Sequence, residues 1–179
     1  MREFRRKEVI IVAGPSASGK TYLMRQLMTK KKNKFKDTLY CKLGINPRKA
    51  RSGISISAVK NLRKKPEHSR KLKKRVIFIH FDLTSRNQEE KRELLLRIAK
   101  SCKKIKVITI KTQFRTWQER MENRFNTDST SNPSNDATNI YKNSKYIPIL
   151  AKLQYKLVYI RWSNYLNKIN PETKVSVNN

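Results

Sequence analysis

The stretch VIIVAGPSASGKTYLMRQL, residues 9–27, decides the fold. Its first five residues are apolar and mostly β-branched, the composition of a strand buried on both faces of a parallel sheet. Leu23, Met24, Leu27 and the following Met28 recur at helical spacing, so a helix is expected from Gly19 to about Lys30. Between them, Gly14, Gly19, Lys20 and Thr21 satisfy G-x-x-x-x-G-K-[ST]. Glycines in such a loop let the backbone curl around an anion, with the amides of Ser16, Ala17, Ser18, Gly19, Lys20 and Thr21 turned inward. The helix start adds unpaired N–H groups and the positive end of a dipole. Lys20 is then expected to reach β- and γ-phosphates, and the Thr21 hydroxyl to take a place beside Mg²⁺.

A metal beside a phosphate loop also wants a carboxylate. Asp82 ends the apolar run RVIFIHFD (75–82), and parallel neighbouring strands would bring it to the same carboxyl edge as the loop. Asp82 is therefore the expected metal ligand, with Thr21, and a member of the expected catalytic set. Further strands are expected at 38–43, 105–110 and 174–177, and the Ser/Ile alternation SGISIS lies in the less legible span 48–74, which also offers a short helix near 57–63. Ser85 and Gln88 read as a capping box for a helix whose inward stripe is Leu94, Leu95, Ile98, Ala99 and Cys102. Phe114, Trp117, Met121 and Phe125 give the stripe of another. On that helix Arg120 and Arg124 are four residues apart and share a face, placed to clamp phosphoryl oxygens, with Arg115 nearby.

Residues 126–139 form a polar stretch without one Lys or Arg, expected to be a loop. Pro148 opens a long helix, 149–169, whose Leu153, Leu157, Val158, Trp162 and Leu166 spread widely enough to suggest burial on more than one side. Tyr155, Tyr159, Trp162 and Tyr165 are read as its packing residues. Strands alternating with helices argue for a three-layer α/β fold around a mostly parallel sheet.

The 179 residues suit one domain, 1–179, and no apolar run approaches the roughly 20 residues of a membrane-spanning helix. Cys41 and Cys102 are far apart in apolar segments, expected to be buried thiols of a reducing, cytoplasmic compartment. Neither shares ligand spacing with His68 or His80, which argues against zinc. The net charge of +30 is the unusual quantity, and residues 1–75 carry 24 of the 43 Lys and Arg but 4 of the 13 acids. Such a field attracts polyanions, RNA or anionic lipid, and steers nucleotide phosphates.

On these residues the chain resembles the P-loop NTPase superfamily, and within it the small kinase-like group. GPSASGKT looks like the Walker A loop of guanylate-kinase-like proteins, and IKVITIKTQFRTWQERMENR (105–124) is similar to their strand followed by an arginine helix. The 126–139 stretch falls where their lid begins. The resemblance implies a five-stranded sheet in the order 2-3-1-4-5 with helices on both faces. It also implies transfer of a phosphoryl group from ATP, or GTP, with Mg²⁺ to a small-molecule acceptor, with Lys20, Asp82, Arg120 and Arg124 as the catalytic set. The guanylate kinases' substrate-binding pattern is absent, which leaves the acceptor open. Two alternatives stand beside this reading: a nucleic-acid-associated P-loop NTPase using the basic 1–75 region, and a transferase using a nucleotide sulfate.

Overall fold

Strand β1 (Glu8–Gly14) is the apolar run of the opening stretch, and every residue after Glu8 is buried. The computed structural model describes residues 7–30, 33–51, 53–56, 76–84, 88–102, 104–127 and 135–179. Along the chain, β1 is followed by α1 (Lys20–Met28), α2 (Lys34–Leu43), α3 (Pro47–Arg51), β2 (Ile54–Ile56) and β3 (Val76–Asp82). Then come α4 (Gln88–Ser101), β4 (Lys104–Lys111), α5 (Phe114–Asn126), α6 (Asn135–Tyr146), α7 (Pro148–Ile169) and β5 (Thr173–Asn178). The strands lie in the order β2-β3-β1-β4-β5, every neighbouring pair parallel. The α/β class and the parallel sheet are as expected.

Alternation along the strands sends successive side chains to opposite faces, and both faces are covered. On one, Val9, Ile11, Ile77, Ile79 and Val107 pack against α4 and against Trp162, Leu166 and Ile169 of α7. On the other, Ile10, Val12, Phe78 and Ile108 pack against Leu23 and Leu27 of α1 and Leu39, Tyr40 and Leu43 of α2. A third cluster joins α5, α6 and α7 through Trp117, Met121, Ile140, Tyr141 and Tyr155. Among the described residues no helix is long and apolar enough to cross a membrane.

Four expectations are corrected. Residues 38–43 are not a strand but the end of α2: Leu39, Tyr40 and Leu43 form a buried helical stripe, the Asn33 side chain accepts from the Phe35 amide, and the helix ends at Gly44. Strand β2 comes instead from the Ser/Ile alternation. Within the expected loop 126–139, α6 begins at Asn135, because Ala137, Ile140 and Tyr141 bury a face against α5 and α7. Cys41 is exposed and Cys102 half-buried, since α2 turns Cys41 away from its inward stripe. Leu153 and Leu157 are exposed, whereas Val158, Trp162 and Leu166 pack inward. The short helix expected at 57–63 and the cap at Ser85 lie outside the described residues.

One cation inside this core is structural. Lys106 is almost wholly buried, with its ammonium 2.7 Å from the Glu8 carboxylate and donating to the Gly44 carbonyl at 2.9 Å. It therefore ties the start of β1 to the end of α2. Glu8→Ala leaves this charge without its partner. Urea unfolding should show a loss of about 3 kcal/mol, the low end for a broken buried pair because Gly44 still accepts from Lys106. The double variant Glu8→Ala/Lys106→Met should recover most of it.

Candidate phosphate-loop site

The two central strands end level with each other: Gly14 of β1 stands opposite Asp82 of β3. The loop between β1 and α1 therefore rises directly beside the carboxylate. Its backbone is tightly curled. A Cβ on Gly14 would lie 2.4 Å from the Ser18 hydroxyl, and Gly19 has φ +89°, a left-handed conformation that favours glycine. Ala17 takes φ 64° within the same turn. Helix α1 begins at Lys20 without a side-chain cap, so the N–H groups of its first turn are not used by a capping residue.

Asp82 holds the loop in place. The Ser16 hydroxyl donates to one carboxylate oxygen at 2.7 Å. The Thr84 amide and hydroxyl donate to the other at 2.9 and 2.8 Å. The Thr84 oxygen in turn accepts from the Ser16 amide at 3.0 Å. Lys20 lies inside this turn, its ammonium donating to the carbonyls of Gly14, at 2.8 Å, and Pro15, and standing 3.9 Å from Asp82. Burial pulls the Lys20 pKa down to about 8 against the opposing pull of Asp82. Burial alone would raise Asp82; Lys20 and the bonds from Ser16 and Thr84 outweigh it and leave the carboxyl below its usual value.

Helix α5 closes over the loop. The buried Trp117 indole donates to the Ser16 carbonyl at 2.8 Å. Arg120 donates to the Asn179 side chain at 3.4 Å, and Asn179 donates to the Ser18 carbonyl at 3.1 Å. The charge of Arg124 reaches both Lys20 and His80, adding to the depression of each. Arg115 is exposed and pairs with Glu119 on the outer side of the helix. Of the expected residues, then, Gly14, Ser16, Ala17, Ser18, Gly19, Lys20, Asp82, Arg120 and Arg124 converge. Thr21 sits exposed in the first turn of α1.

Residues not anticipated are Thr84, Trp117, Asn179 and His80. Thr84 was open to recognition two places after a strand-ending Asp, as a side chain that locks the carboxylate. Trp117 reads in the sequence only as core, and nothing marks Asn179, which reaches the loop because β5 pairs beside β4. Comparison with protein-family models and with curated proteins finds no match for this chain.

The loop offers an anion uncapped amides, a buried Ser18 hydroxyl without a hydrogen-bond partner, and the charges of Lys20, Arg120 and Arg124 against that of Asp82. Asp82 and Thr21 supply hard oxygen donors of the kind Mg²⁺ takes. Among the described residues no three His, Cys, Asp or Glu converge to hold a metal.

His80 provides a readout of this neighbourhood. Burial first, then the Lys20 charge, lower its pKa to about 4 from 6.5. Between those values the unfolded chain binds more protons than the folded one, so stability falls as pH drops from about 6.5 to about 4. The loss approaches about 3 kcal/mol at the acid end. His80→Leu should flatten the stability curve across that window, measured by urea unfolding at a series of pH values. The stabilisation from Asp82 is lost only at lower pH, as its carboxyl protonates below its usual value.

Proposed function

We propose that this protein binds a nucleoside triphosphate with Mg²⁺ at the 14–21 loop and transfers the γ-phosphoryl group to a small-molecule acceptor. The observation that supports the reading most is the convergence of Lys20 and Asp82, 3.9 Å apart, on a curled loop at the carboxyl edge of a parallel sheet. The loop amides bind phosphate oxygens. Lys20 exchanges the carbonyls of Gly14 and Pro15 for β- and γ-phosphate oxygens, a small movement for a long side chain. Arg120 and Arg124 face the charge that develops on the transferred group. Asp82 and Thr21 hold the metal, which when bound neutralises phosphate charge. The walls are already rigid: Ser16, the residue that meets Asp82, is held at its carbonyl by Trp117.

A second reading rests on the exposed cations Lys34, Lys42, Arg48 and Lys49 along α2 and α3. They offer a polyanion the backbone contacts of a nucleic-acid-binding NTPase. RNA affinity measured against salt separates the two: a steep log–log slope supports nucleic-acid binding, and a flat one leaves the small-molecule transferase.

The leading reading is tested by thermal shift with ATP, GTP and adenosine phosphosulfate, with and without Mg²⁺, followed by phosphoryl transfer to an acceptor panel. Mg-ATP or Mg-GTP at about a hundredfold excess over Kd should stabilise the protein by about 2.7 kcal/mol. For a chain of this size that is a rise of roughly 5–10 °C in Tm. Lys20→Ala should weaken nucleotide binding about 10- to 100-fold, the value of hydrogen bonds to charged groups. Asp82→Asn should abolish the Mg²⁺ dependence. Absence of any nucleotide-dependent shift overturns the reading, and a shift with adenosine phosphosulfate alone redirects it to sulfuryl transfer.

A further inference from the structure

Helix α7 is apolar on two opposite sides. Ala151, Tyr155, Trp162, Tyr165, Leu166 and Ile169 face the protein and are buried. The other side carries Ile149, Leu150, Leu153, Leu157 and Ile160, continued by Tyr146 at the end of α6, and these six are 41 to 83% exposed. At 3.6 residues per turn the five α7 positions fall within an arc of about 100° and run roughly 16 Å along the axis. Single exposed apolar residues are ordinary, but a continuous ridge marks a surface that meets something.

The flanks of the ridge say what. Lys152 and Lys156 are exposed along one side and Arg161 along the other, and α7 contains no Asp or Glu. A second copy would bring another +30 charge and the same cations against these, with no acid on either helix to pair them. A stable protein interface uses roughly 20–30 residues a side, far more than this ridge supplies. Nucleic acid would satisfy the cations but offers the leucines nothing. An anionic bilayer surface meets both halves at once: acyl chains for the ridge, headgroup phosphates and carboxylates for its basic flanks. Tyr146 suits the headgroup level, where a ring with a polar tip is at home.

We propose that the outer face of α7 docks the protein on an anionic lipid surface. Leu153, Leu157 and Ile160 enter the boundary between headgroups and acyl chains, and Lys152, Lys156 and Arg161 meet the headgroups. The proposal is independent of nucleotide binding. Its test is co-sedimentation of the whole chain with vesicles of phosphatidylcholine alone, or with about 30% phosphatidylserine, at about 0.15 M salt. The wild type should partition to the anionic vesicles only. Leu153→Ser/Leu157→Ser leaves the net charge unchanged and should lower that partitioning at least tenfold, with the melting temperature retained because both sites are exposed. Lys156→Glu/Arg161→Glu should lower it too. Leu157→Trp gives a second readout that does not depend on the serine variant folding: its emission should shift to the blue on adding anionic vesicles. Wild-type partitioning by the serine variant would mean attraction by charge alone and overturns the proposal. So does failure of the wild type to sediment with anionic vesicles, an unshifted Leu157→Trp emission, or a leucine-dependent dimer in sedimentation velocity without vesicle binding.

Discussion

Asp82 is the point on which the architecture of the loop turns. Because Gly14 and Asp82 are register partners, the end of one central strand and the end of the next are fixed at the same height. The carboxylate then accepts from Ser16 on one oxygen and from Thr84 on the other, and stands beside Lys20. Four polar groups that would each be costly to bury alone satisfy one another. The cost of sequestering Lys20 is met by the Asp82 charge and by two carbonyls, which is why a lysine side chain 4% exposed is tolerated there. Remove the register and the contacts that cross between the two strand ends, Ser16 with Asp82 and Thr84 and Lys20 with Asp82, have no reason to form.

The outer helices act as braces on that arrangement. Tyr155 and Tyr159 of α7 donate to the carbonyls of Thr112 and Ile110, holding the end of β4 where α5 departs. Trp162 donates to the Thr109 hydroxyl one turn further along. Trp117 packs against Phe114 and Tyr155 while its indole reaches the Ser16 carbonyl, so the aromatic cluster is continuous with the loop backbone. Aromatic rings bring area with few rotatable bonds, and their polar tips fix direction. The arginines of α5 are thereby presented to the loop from a rigid support.

Much of this was legible in the sequence, and for identifiable reasons. The central strands declare themselves because residues buried on both faces must be apolar throughout. The curled 14–21 loop is legible because its conformational demands fall on eight consecutive residues, and Asp82 because it terminates such a strand. Helix α2 was misread because Leu39, Tyr40 and Leu43 sit in a run too short to separate a period of two from one of 3.6. Helix α6 hid because the apolar part of its inward face is small, Ala137, Ile140 and Tyr141 with the buried Ser144 beside them, within polar composition. Trp117 owes its importance to a partner 101 residues away, which no local pattern encodes, whereas Thr84 meets Asp82 two places before it and only its contact with Ser16 is distant.

Asn179 carries a different lesson, about separation along the chain. Its side chain meets the Ser18 carbonyl across 161 residues of sequence, and its amide is held by Lys111. The turn and the residue that braces it therefore meet only once β5 has paired beside β4. Completion of the site is thus coupled to completion of the edge of the sheet, a long-range closure of the kind that slows folding.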